Sequence, residues 1–186
     1  MSDSKTPVHP KYILVLLKLE TPYFEKLFRP FANSTSGEFN GLLNGIDASS
    51  TSVALSNYSL AGTVFREDTS TLDANFLTAW EVQFALAEAA ERGLITADAQ
   101  LLYENGVALA FEYLKTPLPT NYLKGPAAYN AVETTPIQQI ITQKWIANII
   151  NGYESWIEYR RTGFPELRTI AASLNNNLLP IRMPYP

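Results

Sequence analysis

The chain has 186 residues, of which 46% are hydrophobic and 17% are charged, as expected for a folded globular protein with a slightly low charge content. Its net charge of −4 comes with no basic patch, which argues against a nucleic-acid partner. The absence of cysteine excludes disulfides, thiol nucleophiles, zinc–thiolate sites and a lipid-anchored cysteine within this sequence.

The first thirty residues contain a polar start and one short apolar element. Residues 1–10 are expected to form a flexible lead. Segment 11–30 is ambiguous in type, and a helix bounded by Pro10 and Pro22 is favoured. The apolar run Tyr12–Leu17 is too short to span a bilayer, and the polar start lacks the apolar region of a signal peptide. If the protein is exported, we expect its targeting segment to lie outside this sequence.

Residues 31–74 are dense in Ser, Thr, Asn and Gly. Asn40-Gly41 and Asn44-Gly45 are turn signals, so this segment is predicted to be a long irregular region with short strands at most. Loops of this length in compact domains are usually either functional or disordered, and both interpretations stay open here.

A first long helix is predicted after Leu72, with its buried stripe at Leu77, Trp80, Phe84 and Ala87. The polar face opposite this stripe would carry Glu81, Glu88 and Arg92, the last two as a favourable i,i+4 pair. Gly93 is a natural residue to end the helix.

A second helix follows, with Thr96 as the predicted N-cap and Asp98 in its first turn. Its predicted stripe consists of Leu102, Gly106, Leu109 and Tyr113. The two helices would form a hairpin that resembles a tetratricopeptide unit in layout but not in consensus. The Pro-rich segment 116–133 is predicted to be a loop.

A long third helix is predicted between Thr135, as N-cap, and Gly163. Trp145 and Trp156 are eleven residues apart, which is three turns, so both would lie on one face of it. Its predicted stripe comprises Ile137, Ile141, Trp145, Ile149, Gly152 and Trp156. Arg160 and Arg161 would occupy the last turn as structural residues, and residues 164–186 are expected to be extended.

Catalytic chemistry has little support in the sequence. Glu154 and Glu158 are one turn apart, but helix-surface pairs of this kind are usually solvated rather than catalytic. The only histidine, His9, lies in the polar start, and no nucleotide-binding, hydrolase or metal-ligand motif occurs. The sequence therefore predicts no enzyme activity, no cofactor and no metal. A solvated role is favoured over calcium binding for the three loop acids Asp47, Asp68 and Asp73, because they lack ligand spacing. A place in the core is favoured for the three tryptophans, Trp80, Trp145 and Trp156.

Several short stretches, in order, carry a family resemblance. They are Trp80–Phe84, Leu86–Ala90, Arg92-Gly93, Tyr103–Val107, Phe111–Tyr113, Lys144–Ile146, Asn151-Gly152, Trp156–Gly163 with Pro165, and Pro180–Pro186. With this order and spacing the chain resembles the C-terminal half of the SusD/RagB family, the surface glycan-binding lipoproteins of Bacteroidetes. The resemblance is good over residues 72–186 and weak over 20–64.

The resemblance implies a mainly α-helical, tetratricopeptide-like fragment of a longer protein, with residues 11–186 forming one domain piece. In it, 31–74 would be loop-rich, 75–163 a helical scaffold and 164–186 a tail. The implied function is non-catalytic oligosaccharide capture at the outer-membrane surface, in partnership with a SusC-like TonB-dependent transporter. Attachment to the membrane would use an anchor outside this sequence. The alternative is a helical protein–protein scaffold without a glycan site, and an intracellular tetratricopeptide adaptor is a more distant possibility.

Candidate glycan contacts lie in the turn-rich region, where the family uses loops above its helices for the sugar. A carbohydrate site pairs an aromatic ring, which covers the apolar C–H face, with amides that bond the hydroxyls. The residue types that fit are Phe39, Asn40, Asn44, Asn57 and Tyr58. For each of them alone, a place in a turn-rich connector is the competing interpretation.

Overall fold

The computed structural model describes residues 24–42, 54–62, 65, 75–125, 127–167, 176 and 178. Within these ranges the protein is mainly α-helical, as predicted. The elements are the one-turn helix α1 (Phe24–Leu27), strands β1 (Phe28–Arg29) and β2 (Leu60–Ala61), helices α2 (Ala79–Glu91), α3 (Ala99–Tyr113), α4 (Pro136–Ala147) and α5 (Gly152–Thr162), and 3₁₀ turns at Leu55–Asn57 and Tyr122–Lys124. Several predictions fall outside the described residues: the polar start with His9, the helix between Pro10 and Pro22, Asp47, Asp68, Asp73 and most of the tail.

Helices α2 and α3 form the predicted hairpin, and no other pair of described elements packs as extensively. Helix α2 begins after Thr78 with a reciprocal cap, in which Glu81 N–H donates to the Thr78 hydroxyl and the Glu81 carboxylate accepts from Thr78 N–H at 2.8 Å. It ends at Arg92, and Gly93 follows with a left-handed φ of 70°, as the sequence predicts. Both ends of α2 are therefore determined locally.

The predicted N-cap of α3 is wrong by two residues. Asp98, not Thr96, caps the helix, and its carboxylate accepts a hydrogen bond from Leu101 N–H at 3.0 Å. Asp and Thr are both good N-caps, so the local signal alone does not choose between them.

The hydrophobic core lies between α2, α3 and α4. Its α2 members are Trp80, Phe84 and Ala87, as predicted, and its other members include Tyr103, Val107, Ala110, Phe111, Leu114, Ile140, Trp145 and Ile146. The prediction for Leu77 is wrong, because this residue precedes the N-cap and is 70% exposed. The polar face assigned to α2 is also wrong, since Glu81 and Glu88 are both buried. The predicted Glu88–Arg92 pair is present at 2.8 Å.

The single long third helix is wrong in extent, because the chain breaks into α4 and α5 at residues 148–151. Helix α4 begins as predicted, with Thr135 as N-cap, Pro136 as first residue and Gln138 completing a capping box. It ends at Asn148. Asn151 then caps α5, its Oδ1 accepting a hydrogen bond from Glu154 N–H at 3.4 Å.

Asn148 has tertiary partners that favour the break. Its buried Oδ1 accepts from Trp80 Nε1 at 2.9 Å, and its Nδ2 donates to Glu81 Oε1 at 3.1 Å. The Ser155 hydroxyl donates to Asn148 O at 3.0 Å, which turns α5 back onto the end of α4. The Asn148 side chain is thus satisfied on both of its polar atoms inside the core, and the Ser155 bond stabilises the turn that follows.

The break changes the predicted stripe. Trp145 is buried in the core, as expected, but Trp156 lies on another helix and is only partly buried, with the Arg160 guanidinium 4.6 Å from its ring centroid. Gly152 is exposed, and a Cβ built there would meet no atom within 4 Å, so the close packing expected at this residue is wrong. Ile137 and Ile149 are only partly buried. Gly163 ends α5 with a φ of 76°, as predicted.

The Pro-rich connection between α3 and α4 is a loop, as predicted, and two tyrosines hold it. Tyr103 OH donates to Ala127 O at 2.7 Å, and Tyr122 OH donates to Gln143 Oε1 at 3.1 Å. Burial raises the pKa of both phenols well above its ordinary value, so both remain protonated donors.

The first described segment forms a small antiparallel pair with Phe28 opposite Ala61. Gly62 N–H donates to Leu27 O at 2.9 Å, at a point where the two backbones nearly touch. Lys26 Nζ donates to the carbonyl oxygens of Leu114 and Lys115, at 2.6 and 2.7 Å, just after the C-terminus of α3. A cation at this end of a helix is stabilised by the helix dipole, so Lys26 fastens the strand pair to the helices.

Candidate functional site

Two turn-rich segments, 31–42 and 54–62, are joined by asparagine side chains. Asn33 Nδ2 donates to Asn57 Oδ1 at 2.7 Å, and Asn40 Nδ2 donates to Asn57 O at 2.8 Å. We call Asn33, Asn40 and Asn57 the amide cluster. Because the bonded pairs are 24 and 17 residues apart in sequence, these bonds give the loop region a defined shape.

Main-chain bonds extend the amide cluster towards β2. Ser59 N–H donates to Asn40 O at 2.6 Å, Asn40 N–H donates to Ser59 Oγ at 2.9 Å, and Asn33 N–H donates to Ser56 O at 3.1 Å. The strand pair fastened by Lys26 therefore continues into the amide cluster, and the helical scaffold positions both.

The structure places four of the five predicted site residues in this region. Asn57 is exposed and Tyr58, next to it in sequence, is partly buried. The Asn40 side chain donates a hydrogen bond to Asn57 O through Nδ2, and its buried Oδ1 has no hydrogen-bond partner. Phe39 is partly buried and packs against the core. Asn44 lies outside the described residues.

Sequence reasoning missed Asn33 and Ser59, although both hold the candidate residues in place. The available signal was the density of Asn and Ser in residues 31–74, since such residues form hydrogen bonds with the backbone and with one another in turns. Composition does not say which of many similar side chains will pair across the loop.

One of the two carboxylates considered for catalysis, that of Glu158, has structural partners. Glu158 is buried, which corrects the expectation of a solvated Glu154–Glu158 pair, and it bonds Lys144 Nζ and Arg161 Nη2, each at 2.6 Å. Arg161 also forms a two-bonded pair with Glu88, with both distances 2.6 Å. The structural role predicted for Arg161 is confirmed by its pair with Glu88 on α2.

The electrostatics of this network favour the charged forms. Burial by itself raises the pKa of the Glu88 carboxyl, but hydrogen bonds and charge from Arg161 and Arg92 outweigh it and leave the pKa below the ordinary 4.5. Hydrogen bonding to Glu88 is the main reason that the pKa of Arg161 is raised. The network links α2, α4 and α5 and is a stabilising element rather than a reactive one.

Two further properties bear on partners. In the part of the chain that the structure describes, no three His, Cys, Asp or Glu residues come together as a metal site. None of the described helices combines the length and the apolar character needed to cross a bilayer.

The fold is thus a tetratricopeptide-like helical hairpin packed on two further helices, with a turn-rich segment fastened to it. The chain belongs to the SusD-like family whose model, described as "Starch-binding associating with outer membrane", matches residues 8–186. A comparison with curated proteins gives no match.

Solved structures with the same fold include several SusD homologues. A chitin-binding protein aligns with a TM-score of 0.78 at 23% identity, covering 96% of this chain and 42% of its own. A chitin-binding SusD homologue from Flavobacterium johnsoniae aligns with a TM-score of 0.72 at 24% identity, covering 90% of this chain and 39% of its own. A SusD homologue from Bacteroides fragilis aligns with a TM-score of 0.76 at 25% identity, covering 95% of this chain and 43% of its own. The chain therefore spans about two fifths of the length of these relatives.

Proposed function

We propose that the protein captures oligosaccharides without catalysis, for nutrient uptake at the outer-membrane surface, together with a SusC-like TonB-dependent transporter. The observation that carries the proposal is the family match over residues 8–186, because that family's description names both starch binding and outer-membrane association. Two of the solved relatives are described as chitin-binding, which supports a hexose polymer as the ligand class.

The proposed contact region is the amide cluster with Tyr58. Asn57 is exposed and Tyr58, the next residue in the chain, is partly buried, so one loop segment carries both an amide and an aromatic side chain. An aromatic ring covers the apolar C–H face of a sugar, while an amide bonds its hydroxyls. Phe39 and Asn40 would support this surface from below, and Asn44 remains a candidate from the sequence.

The pairing of Glu158 supports a role without catalysis. Hydrolysis of a glycosidic bond needs two carboxylates facing each other across a cleft. Glu158 is instead buried against Lys144 and Arg161, so it is engaged in holding α4 and α5 together. This arrangement supports a binding role over a hydrolytic one.

The test is calorimetric titration of the protein with chito-oligosaccharides and malto-oligosaccharides. We expect binding, and we expect Tyr58→Ala to raise the Kd by about tenfold or more, which corresponds to about 1.4 kcal/mol of lost stacking. Asn57→Ala should weaken binding through the lost amide.

The matched control is Leu101→Ala, which removes an exposed apolar side chain from α3, far from the loop in sequence. It should leave the Kd unchanged. A wild-type protein that is folded by circular dichroism and silent towards every glycan would contradict the proposal.

A second candidate function is a helical protein-contact scaffold, and one observation favours it. Phe76 is fully exposed and Leu77 is 70% exposed, just before α2. Two neighbouring large apolar side chains in water are typical of a surface that another chain covers. Silence of a folded sample in the glycan titration, with retained binding to a SusC-like transporter, would favour this function.

A further inference from the structure

Two adjoining hollows lie where α2 meets the turn between α4 and α5. One has a volume of about 250 Å³ and the other of about 430 Å³, and Ile150 and Asn151 line both. We call the two together the corner groove. It is built from residues 75–81 and 147–156, so it uses other elements than the amide cluster.

The inner half of the corner groove is polar and preformed. Glu81 is buried, and its carboxylate accepts from Thr78 N–H at 2.8 Å, the Thr78 hydroxyl at 2.6 Å and Asn148 Nδ2 at 3.1 Å. These donors are all neutral, and no cation among the described residues pairs with Glu81. A carboxylate has about four acceptor positions, so capacity remains for a further hydroxyl donor.

An amide donor stands at the junction of the two hollows. Asn151 Oδ1 is held by Glu154 N–H, which fixes the side chain at the start of α5. Nothing among the described residues accepts a hydrogen bond from Asn151 Nδ2. The Asn151 side chain therefore offers two N–H donors in the cavity that Glu81 also lines.

The outer half of the corner groove is aromatic. Tyr153, in the first turn of α5, is 69% exposed, although most of a tyrosine ring is usually buried in a folded protein. Trp156 lies almost one turn further along the same helix and also lines this hollow, with Arg160 stacked on its ring. Both rings are carried by a helix, so a ligand meets them with little ordering cost.

We infer that the corner groove is a second oligosaccharide-binding site, in which the Tyr153 ring receives the apolar face of a sugar while Asn151 and Glu81 bond its hydroxyls. The inference rests on the proposed function for its ligand class. Glu81 is the only carboxylate among the residues that line the two hollows, which disfavours a metal ion, since Ca²⁺ takes six to eight oxygen ligands. A neutral polyhydroxylated ligand matches a site with one aromatic ring, one amide and one carboxylate whose hydrogen-bond donors are all uncharged.

The experiment follows backbone amide NMR signals of the protein during titration with chitohexaose and, separately, maltohexaose. We expect shifts at residues 148–153 in addition to any at 33–40 and 57–59. Tyr153→Ala should raise the Kd of the corner groove about tenfold, whereas Tyr153→Phe, which keeps the ring, should preserve it.

The control variant is Ile157→Ala, which lies one turn beyond Tyr153 on the same helix and is also exposed, but is not part of the groove lining. It should bind as the wild type does. The shifts at 148–153 should also persist in Tyr58→Ala, because the two sites are built from different segments.

The outcomes separate the two proposals. Shifts confined to 33–40 and 57–59, unaffected by Tyr153→Ala, would overturn the corner groove and leave the proposed function standing. Shifts confined to 148–153 would support the corner groove and show the amide cluster to be the wrong site. A folded protein without shifts from either probe would overturn both.

Discussion

Gly106 lies in the middle of α3 where the ring of Phe84 covers its backbone. A Cβ built on Gly106 would be 3.0 to 3.1 Å from three atoms of that ring. Phe84 is itself buried in the core, so it has little room to retreat. The glycine predicted in the α3 stripe is therefore present because the two hairpin helices approach closely there.

We expect Gly106→Ala to lower the free energy of unfolding by about 1 kcal/mol. The helix gains about 1 kcal/mol when alanine replaces glycine, but overpacking against an immobile ring costs about 1–3 kcal/mol, so the clash prevails. Urea unfolding measures the difference.

Gly152→Ala is the matched control, because an added methyl group there meets nothing and the residue has an ordinary backbone angle at the start of α5. Its stability should be unchanged or higher by up to about 0.5 kcal/mol. Equal stability of the two variants would show that the Phe84 contact is unimportant.

At the scale of elements, the strand pair depends on close backbone contact at Gly62. A Cβ there would be 2.1 Å from Lys26 O, which is a main-chain atom that no rotamer change can move. The pair in turn positions the amide cluster through Asn40 and Ser59. A glycine at this point is thus a requirement of the loop's attachment.

We expect Gly62→Ala to separate β1 from β2 and to loosen the amide cluster while leaving the α2–α3 hairpin folded. Amide hydrogen exchange should show lost protection at Gly62 and Ser59, whose N–H groups bond Leu27 O and Asn40 O. Gly37→Ala serves as a comparison in open space, although its φ of 76° carries a local cost of its own. Unchanged protection of the N–H groups at positions 62 and 59 in the Gly62→Ala variant would contradict this account of the attachment.

At the scale of the whole molecule, the charged network joins helices that are far apart in sequence. Glu88 on α2 is bonded by Arg161 on α5, and Lys144 on α4 is bonded to Glu158 on α5. Because the network pairs buried carboxylates, its contribution depends on their remaining ionised.

The direction of the pH effect follows from the lowered pKa of Glu88. A carboxyl whose pKa is lower when folded stabilises the protein above its unfolded value, near 4.5, and this contribution is lost as the pH falls through the folded pKa. We expect Glu88→Gln to cost about 1–3 kcal/mol near neutral pH, at the lower end because Arg161 is partly exposed. As the pH falls below 4.5 and through the lower pKa of the folded Glu88 carboxyl, the stabilities of the wild type and the variant should converge.

Chemical unfolding at a series of pH values measures this effect, and Glu112→Gln is the control, since Glu112 is an exposed carboxylate on α3. The control should follow the wild type throughout. A difference between wild type and Glu88→Gln that does not shrink on acidification would exclude the ionised pair as its source.

Much of the fold was predictable from the sequence because its signals are local. The hairpin, the cap at Thr135, the ends at Gly93 and Gly163 and the core positions Trp80 and Trp145 follow from helical spacing and capping residues. The candidate site was predictable only as a region. The pairing of Asn33 with Asn57 and the corner groove join residues that are distant in the chain, so no local pattern carries them.

The sequence by itself determined that the protein is helical, where α4 begins, where α2 and α5 end, and that Trp80, Phe84, Ala87 and Trp145 belong to the core, since short-range hydrogen bonds and periodic burial decide those features. Only the tertiary structure decided that the third helix breaks at Asn148, that Glu81 and Glu88 are buried, and that Tyr153 is left exposed beside an amide. The physical reason is that a polar group's place depends on a partner elsewhere in the chain. Asn148 can be buried at the end of a helix because Trp80 and Glu81 satisfy its side chain.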